Sequence, residues 1–254
     1  KYWIAFCCHS NSYQNNITGQ GHLVKMAKTL IKNAKVISMD STIGVLDSGD
    51  ILFEGEEILE VAPEIAASDA DLIDASRMIV MPGLVDAHIH TWQAGIRGIA
   101  GDWTMGQYLR GMHANLATGF QPEDIYLGNL AGGLTQLNGG VTTLFDWCHN
   151  NPTPDHTDAA IDGLFESGIR AIFGHGSPKP DPKEGQKHFS EVPHPKSEIA
   201  RLREGRLSSD ESLVTLAMCI LGPHYSIYEV THEDLLLAQE FDLVASAHMS
   251  GGFN

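Results

Sequence analysis

Two histidines close the run Met81-Pro82-Gly83-Leu84-Val85-Asp86-Ala87-His88-Ile89-His90. The apolar stretch Met78–Met81 leads into it, so the segment reads as a strand interrupted at Pro82-Gly83. On a strand, residues two apart share a face. His88 and His90 therefore point to one side. Imidazole is a common metal ligand, and two of them at a strand end can grip one ion from one wall. The alternative is a pair of hydrogen-bonded polar side chains at a strand exit, and what else gathers with them decides between the two.

The elements that must position these histidines follow from the pattern downstream. From residue 79 strands and helices alternate, which signals βα units around a parallel sheet. The sequence predicts a first strand over 79–89 and helices over 105–116 and 122–137. A second strand follows at Val141–Asp146, then a helix at His156–Ser167 stopped by Gly168. Ile169–Phe173 forms the third strand, and a Pro-containing loop, 177–195, leads to a helix at about 196–205. Leu213–Leu221 is the fourth strand. A helix opens at Thr231, with Glu233 and Asp234 in its first turn. Leu243–Ala247 is the fifth strand. Polar residues collect where these strands end: His88 and His90, Asp146 and His149, His175, His224, His248. In a parallel βα barrel the chemistry sits at the C-terminal strand ends, so histidines there fit a metal centre. His149 and His175 are the two that a structural role explains best. Asp146 is placed either to orient a ligand histidine or to pair with neighbouring backbone.

Residues 28–81 read as short strands: Thr29–Ile37, a hairpin of Ile51–Phe53 and Ile58–Val61 around Gly55, and Leu72–Ala75. Asp47-Ser48-Gly49-Asp50 reads as a turn. Residues 1–25 are polar and aperiodic, and Met26 is the first methionine. Residues 1–27 are accordingly expected to be a non-native or flexible segment, 28–80 a partial β-sandwich, and 81–254 the partial barrel.

Composition narrows the function classes. Sixteen basic residues against 32 acidic give a formal net charge of −16, which argues against nucleic acid and anionic membrane as partners. Hydrophobic residues at 43% supply a globular core. The cysteines are Cys7, Cys8, Cys148 and Cys219, with no C-x-x-C. That usage fits a reducing, cytoplasmic setting, so the Asn16-Ile17-Thr18 sequon is read as chance. No stretch approaches the ~20 apolar residues of a membrane span.

The residues Pro82–His90 resemble the strand-one metal motif of the amidohydrolase superfamily. Arg97-Gly98, Trp103 and Tyr108-Leu109 are similar to the branch holding cytosine-deaminase-like, S-adenosylhomocysteine-deaminase-like and triazine-hydrolase-like enzymes. Gly139-Gly140-Val141-Thr142-Thr143 resembles that branch's second strand, Gly222-Pro223-His224 its fourth, and His248 its fifth-strand metal histidine. The resemblance runs from about residue 28 to 254. It implies a (β/α)8 TIM barrel, present here as about five strands, with a small β-sandwich that is also partial. It further implies one divalent metal ion, zinc or iron, with His88, His90 and His248 as ligands. His224 would hydrogen-bond the substrate or intermediate, and Trp92, Trp103 and His113 would line the pocket, where packing roles serve the tryptophans equally well. Homo-oligomers are frequent in the family.

The same resemblance implies a metal-dependent hydrolase that cleaves non-peptide carbon–nitrogen bonds in a small N-heterocycle or cyclic amide through metal-bound hydroxide. Two departures bear on it. A proton-shuttling Glu is expected three residues after His248, where Gly251 stands, and the family's strand-six His and strand-eight Asp have no counterpart before Asn254. The fourth strand offers no lysine to bridge two metals. The competing expectation is a C-terminally truncated, catalytically incomplete fragment or an inactive metal-binding relative.

Overall fold

The structure, a computed structural model, describes residues 2–4 and 27–249. Most of the N-terminal segment singled out above, with Cys7, Cys8, Asn16 and Met26, lies outside the described residues, as does Gly251. The chain divides into two compact units, Lys1–Leu84 with Gly140–Thr142, and Val85–Gly139 with Thr143–Asn254.

The first unit is a β-sheet. Its strands are β1 (Tyr2–Ile4), β2 (Lys28–Ile37), β3 (Val45–Glu54), β4 (Glu57–Ala62), β5 (Ala70–Asp74) and β6 (Met78–Val80). They run in the order β1-β6-β2-β3-β4, with β5 also paired to β2. The hairpin of β3 and β4 turns at Gly55, whose φ of +60° is the left-handed conformation that glycine adopts without strain. Ile31, Ala34, Val36, Ile51, Ala75 and Val80 form one buried cluster, and Leu30, Leu52 and Ile65 another.

One expectation fails here. Asp47–Asp50 is not a turn but part of β3, where Gly49 faces Ala34 across an irregular register. Asp50 explains why a charged residue belongs in that strand. It is buried and accepts hydrogen bonds from the Asn33 amide (2.9 Å) and the Ile65 amide (2.9 Å), with Lys32 Nζ 3.2 Å away. Polar spacing imitates a turn in the sequence, whereas in the structure one carboxylate satisfies backbone on two sides.

The expected first barrel strand is in fact two, β6 and β7 (Leu84–Ile89), separated at Pro82-Gly83. Proline removes a ladder donor. A Cβ on residue 83 would overlap the Thr142 side chain, so the interruption requires glycine.

The second unit carries the parallel sheet. After β7 come a 3₁₀ turn (Thr91–Ile96), α1 (Met105–Tyr108), α2 (Pro122–Asn138), β8 (Val141–Cys148), α3 (Pro154–Ser167), β9 (Arg170–Gly176), α4 (Lys196–Glu204), β10 (Val214–Ile220), α5 (Gly222–Tyr225), α6 (Tyr228–Glu240) and β11 (Ala245–Ala247). Strand order is sequential, β7-β8-β9-β10-β11. This is a curled parallel half-barrel, the partial TIM barrel expected.

Two helices differ from their sequence reading. The helix over 105–116 is α1, capped by Thr104 and Gln107, then a wider π turn at Leu109–His113 that brings Met112 and His113 to buried positions, then a 3₁₀ turn at Leu116–Gly119. The last helix begins at Tyr228, not Thr231. Thr231 lies inside it, and its hydroxyl meets that of Ser226 at 2.8 Å instead of capping the start.

Asp50→Ala is expected to destabilise the protein by about 3 kcal/mol, because two amides and Lys32 lose their acceptor. Burial alone raises the Asp50 pKa, but the bonds from Asn33, Ile65 and Lys32 outweigh it and hold the carboxyl below its ordinary 3.8. Its contribution should therefore be complete above that value and fade as pH falls through the lowered one. Urea unfolding of both proteins across acid pH measures this, and the difference should shrink with acidification.

Candidate metal centre

The β7 alternation sends His88 and His90 to one side, as their spacing predicts. His248 follows β11 directly. The three meet: one ring nitrogen from each lies within 4.8 Å of the others. The Nε2 atoms of His88 and His248 are 3.1 Å apart. Ring centroids are 5.0 Å apart for His88 and His90, 4.9 Å for His88 and His248, and 5.3 Å for His90 and His248.

The tautomer of His90 follows from its partner. Nδ1 lies 2.7 Å from the Trp147 carbonyl oxygen. A carbonyl can only accept, so Nδ1 carries the hydrogen and Nε2 keeps its lone pair. A ligand imidazole anchored by its other nitrogen is the usual arrangement around protein-bound metals. Burial, reinforced by neighbouring positive groups, pushes the pKa of His90 and that of His248 down to about 4, so both are neutral at pH 7. Metal ligation requires neutral imidazole.

The donor set fits a divalent ion of intermediate softness. Nitrogens at about 2.1 Å from a tetrahedral ion stand roughly 3.4 Å apart, the scale of the His88–His248 separation. Three imidazole ligands suit zinc or iron better than calcium or magnesium, which prefer oxygen.

Buried aromatic groups back this triad. His149 stacks on His90 at 4.2 Å between centroids, and Trp92 Nε1 donates to His149 Nδ1 at 3.1 Å. His113 meets His149 edge-on at 4.3 Å, and burial, followed by Lys179, pushes its pKa down to about 3. The Trp147 ring lies 4.0 Å from that of His248. Lys179 Nζ stands 5.2 Å from the Trp147 ring centre, and burial lowers its pKa to about 8. His149, Trp147 and Lys179 were not selected as site residues from the sequence. For two of them a signal existed, since Trp147 near the end of β8 and His149 just past it share one period-two face.

The other expected residues take different places. Trp92 is fully buried beneath the cluster. Trp103 is partly buried against Gly111, where a Cβ would come within 2.8 Å of its ring. His224 is partly buried on α5, its ring 4.9 Å from that of Tyr225. Among the described ring contacts, the histidine cluster comprises residues 88, 90, 113, 149 and 248 rather than 224.

Asp146 is the hidden support. It is fully buried and accepts from the Thr91 amide at 3.0 Å and from Asn129 Nδ2 at 3.1 Å. Of the two roles open to it, the backbone pairing is the one present, and burial pushes its carboxyl up to about 6. It thereby fixes the residue after His90. Two glycines of α2 let that helix approach the same segment. A Cβ on Gly128 would collide with the Trp92 carbonyl, and one on Gly132 would come within 2.5 Å of the Thr91 methyl. Asp86 completes the anchoring, accepting from the His88 amide at 3.2 Å and from Gln136 of α2 at 3.0 Å.

Comparison with known proteins places the chain among relatives. The amidohydrolase family matches residues 79–250. A 5'-deoxyadenosine deaminase of Methanosarcina barkeri is 33% identical over 151 residues, 59% of this chain and 34% of that protein. A 5-methylthioadenosine/S-adenosylhomocysteine deaminase of Bacillus cereus is 26% identical over 231 residues, 88% of this chain and 50% of that protein. The crystal structure of an atrazine chlorohydrolase from Arthrobacter aurescens, complexed with zinc, superposes with a TM-score of 0.74 at 26% identity. It covers 87% of this chain and 53% of its own. The chain thus spans between a third and about half the length of these relatives.

Asp146→Ala is expected to weaken zinc binding by roughly ten- to a hundredfold, because the segment carrying His90 loses its anchor. Competition with a chelator measures the affinity. Unchanged affinity in a folded variant would show that Asp146 does not position the ligand.

Proposed function

The chain belongs to the amidohydrolase family, and from that premise we propose that the whole protein is a metal-dependent hydrolase cleaving carbon–nitrogen bonds of small N-heterocycles. The convergence of His88, His90 and His248 supports this reading. The deaminases among its relatives favour an aminated heterocycle as substrate. The Arthrobacter enzyme's zinc favours zinc over iron as the single ion.

When bound, such an ion lowers the pKa of water towards about 7 and so makes hydrolysis feasible at neutral pH. The chain's own residues hold and orient it. His90 offers Nε2 because Trp147's carbonyl occupies Nδ1. His88 and His248 bring their Nε2 atoms within 3.1 Å of each other beside it. His149 and Trp92 form a dry floor beneath His90, which excludes bulk water from that side. His224 is assigned to hydrogen-bonding the heterocycle, and His113, Trp92 and Trp103 to shaping the pocket floor and wall. We assign residues 28–80 to the β-sandwich and 81–254 to the barrel. The proposed setting is the cytoplasm, with a small molecule rather than nucleic acid or membrane as partner, and a homo-oligomeric assembly. Among the described residues no helix is long and apolar enough to cross a membrane.

A second reading, a catalytically incomplete piece or an inactive metal-binding relative, is favoured by the chain spanning only 34% to 53% of the relatives' lengths.

The longest polypeptide carrying this chain should retain about one zinc per chain. It should release ammonia from at least one of 5'-deoxyadenosine, S-adenosylhomocysteine and an aminotriazine. Chelation should abolish release and zinc should restore it, while His88→Ala and His90→Ala should lose both metal and turnover. Bound zinc without turnover on any aminated heterocycle would select the inactive relative. Protein that takes up no metal would sink the hydrolase and the metal-binding relative and leave the incomplete piece.

A further inference from the structure

The buried acids of this chain all have partners. Asp50 pairs with Lys32, Glu198 with Arg201 and Asp234 with His194, while Asp146 accepts from the Thr91 amide and Asn129. The buried ammonium of Lys179 is the exception. The residue is only 8% exposed, and among the described residues it makes no hydrogen bond and no ion pair. Its Nζ faces the Trp147 ring at 5.2 Å. Cys219 is near, but burial raises its thiol well above the ordinary pKa, so it supplies no countercharge. A buried cation without an anion is costly, and a contact with a ring face offsets only part of that cost.

The metal centre does not explain this ammonium either. Lys179 lies in the loop after β9. Pro178 and Pro180 on either side line a cavity enclosed by that loop, whereas Lys179 extends over the Trp147 ring, which rests 4.0 Å from the ring of His248. Burial is the main cause of low basicity at His90, His113, His149 and His248, and the positive charge of Lys179 contributes at each. An ammonium that close opposes a cation bound by the same histidines. An anion is what it would favour.

The ammonium is both held and reachable. His194 fastens the far end of the loop: its Nε2 lies 3.0 Å from the His175 carbonyl oxygen, and the Asp234 carboxylate meets its amide (2.8 Å) and Nδ1 (3.1 Å). Trp147 Nε1 is unpaired and sealed from solvent, whereas Lys179 Nζ, equally unpaired, keeps accessible surface. A small ligand can therefore touch it. The chain as a whole carries a net charge of −16 and repels anions. Attraction for one must be local, and a buried, weakly screened ammonium provides it.

We propose that Lys179 is a specificity-determining residue, selecting an aminated N-heterocycle that bears a carboxylate and pairing its ammonium with that group. The proposal rests on the hydrolase reading for the heterocycle and names the substituent that this reading leaves open. Pairing with a carboxylate gives the buried charge the partner that the fold withholds, through a charge-assisted hydrogen bond.

Calorimetric titration at pH 7 with two matched pairs tests it: 2-aminopyrimidine-5-carboxylate against its 5-carboxamide, and 6-aminonicotinate against 6-aminonicotinamide. Members of a pair share shape and differ in charge. At least one carboxylate should bind saturably and about tenfold or more tighter than its amide. Lys179→Met should abolish that preference and Lys179→Arg should keep it, both with unchanged zinc content. The matched pairs need no variant, so the test holds even if a substitution unfolds the chain. No saturable binding by either carboxylate, or equal binding of acid and amide, would overturn the proposal. So would a preference that persists in Lys179→Met, since the anion would then be held elsewhere. Zinc uptake and ammonia release decide the hydrolase reading separately: turnover without charge preference defeats this proposal alone, and charge preference without turnover defeats only the hydrolase.

Discussion

The site depends on the curvature of one sheet. His88 and His90 stand at the end of β7 and His248 just past β11, and these strands are the two edges of a five-stranded sheet. In a flat sheet, four spacings of about 4.8 Å would place the edges roughly 19 Å apart. Yet the His88 and His248 rings approach to 3.1 Å. The residues on each face account for the curl. Register aligns Trp147, Gly174 and Ala217 on the face of the histidine cluster, and Phe173, Leu216, His175 and Met218 on the other. A Cβ on Gly174 would overlap Cys219, and one on Gly176 would come within 2.5 Å of the Cys148 carbonyl. Among the bulkier Phe145, Ile172 and Trp147 of the concave face, these two glycines let Cys219 and the Cys148 carbonyl come close, and the strand ends converge as the sheet curls.

Curvature brings strand ends together but does not aim side chains. That falls to the segment after His90. Asp146 reaches across from β8 to the Thr91 amide and takes Asn129 of α2 on its second oxygen. Asn129 also donates to the Ala160 carbonyl of α3 at 2.9 Å, so one carboxylate ties β8, two helices and the 3₁₀ turn into one polar knot. The knot tolerates burial because its bonds are charge-assisted. It needs helix α2 close by, which is what Gly128 and Gly132 permit. Replacing hydrophobic bulk with glycine here weakens the helix locally and gains a fixed position for His90.

Local periodicity made much of this legible. The same-side pair His88 and His90 follows from period two alone, five strands follow from alternating patterns, and their sequential order follows from the resemblance to a (β/α)8 barrel. What stayed hidden depends on contacts distant in sequence. Asp50 sits in a polar run that reads as a turn, because its partners, Asn33 and Ile65, belong to other elements. Thr231 looks like a helix cap, and only its bond to Ser226 shows that the helix has already begun. The split of the first barrel strand was signalled by Pro82-Gly83, but its cause, the Thr142 side chain, lies some sixty positions on. His149 and His175 looked alike as strand-end histidines. Register sends one into the cluster against His90 and the other to the opposite face. That distinction rests on one residue of parity, which strand boundaries read from sequence do not resolve.

The histidine triad and the curl of the sheet are coupled in both directions. At 3.1 Å the Nε2 atoms of His88 and His248 share one hydrogen between them, one ring donating and the other accepting. Depressed basicity at His90 and His248 disfavours any additional proton. The convergence is held by that contact, by the hydrogen bond from His90 to the Trp147 carbonyl, by the Trp147 ring against His248, and by His149 stacked on His90. An ion coordinated by all three would displace the shared hydrogen and form bonds across the two edges of the sheet. Its binding energy would then be stabilisation of the curved state itself. The residues that most affect the centre are therefore those that set the radius of curvature, Gly174 and Gly176, together with the knot around Asp146, although none of them offers a ligand atom.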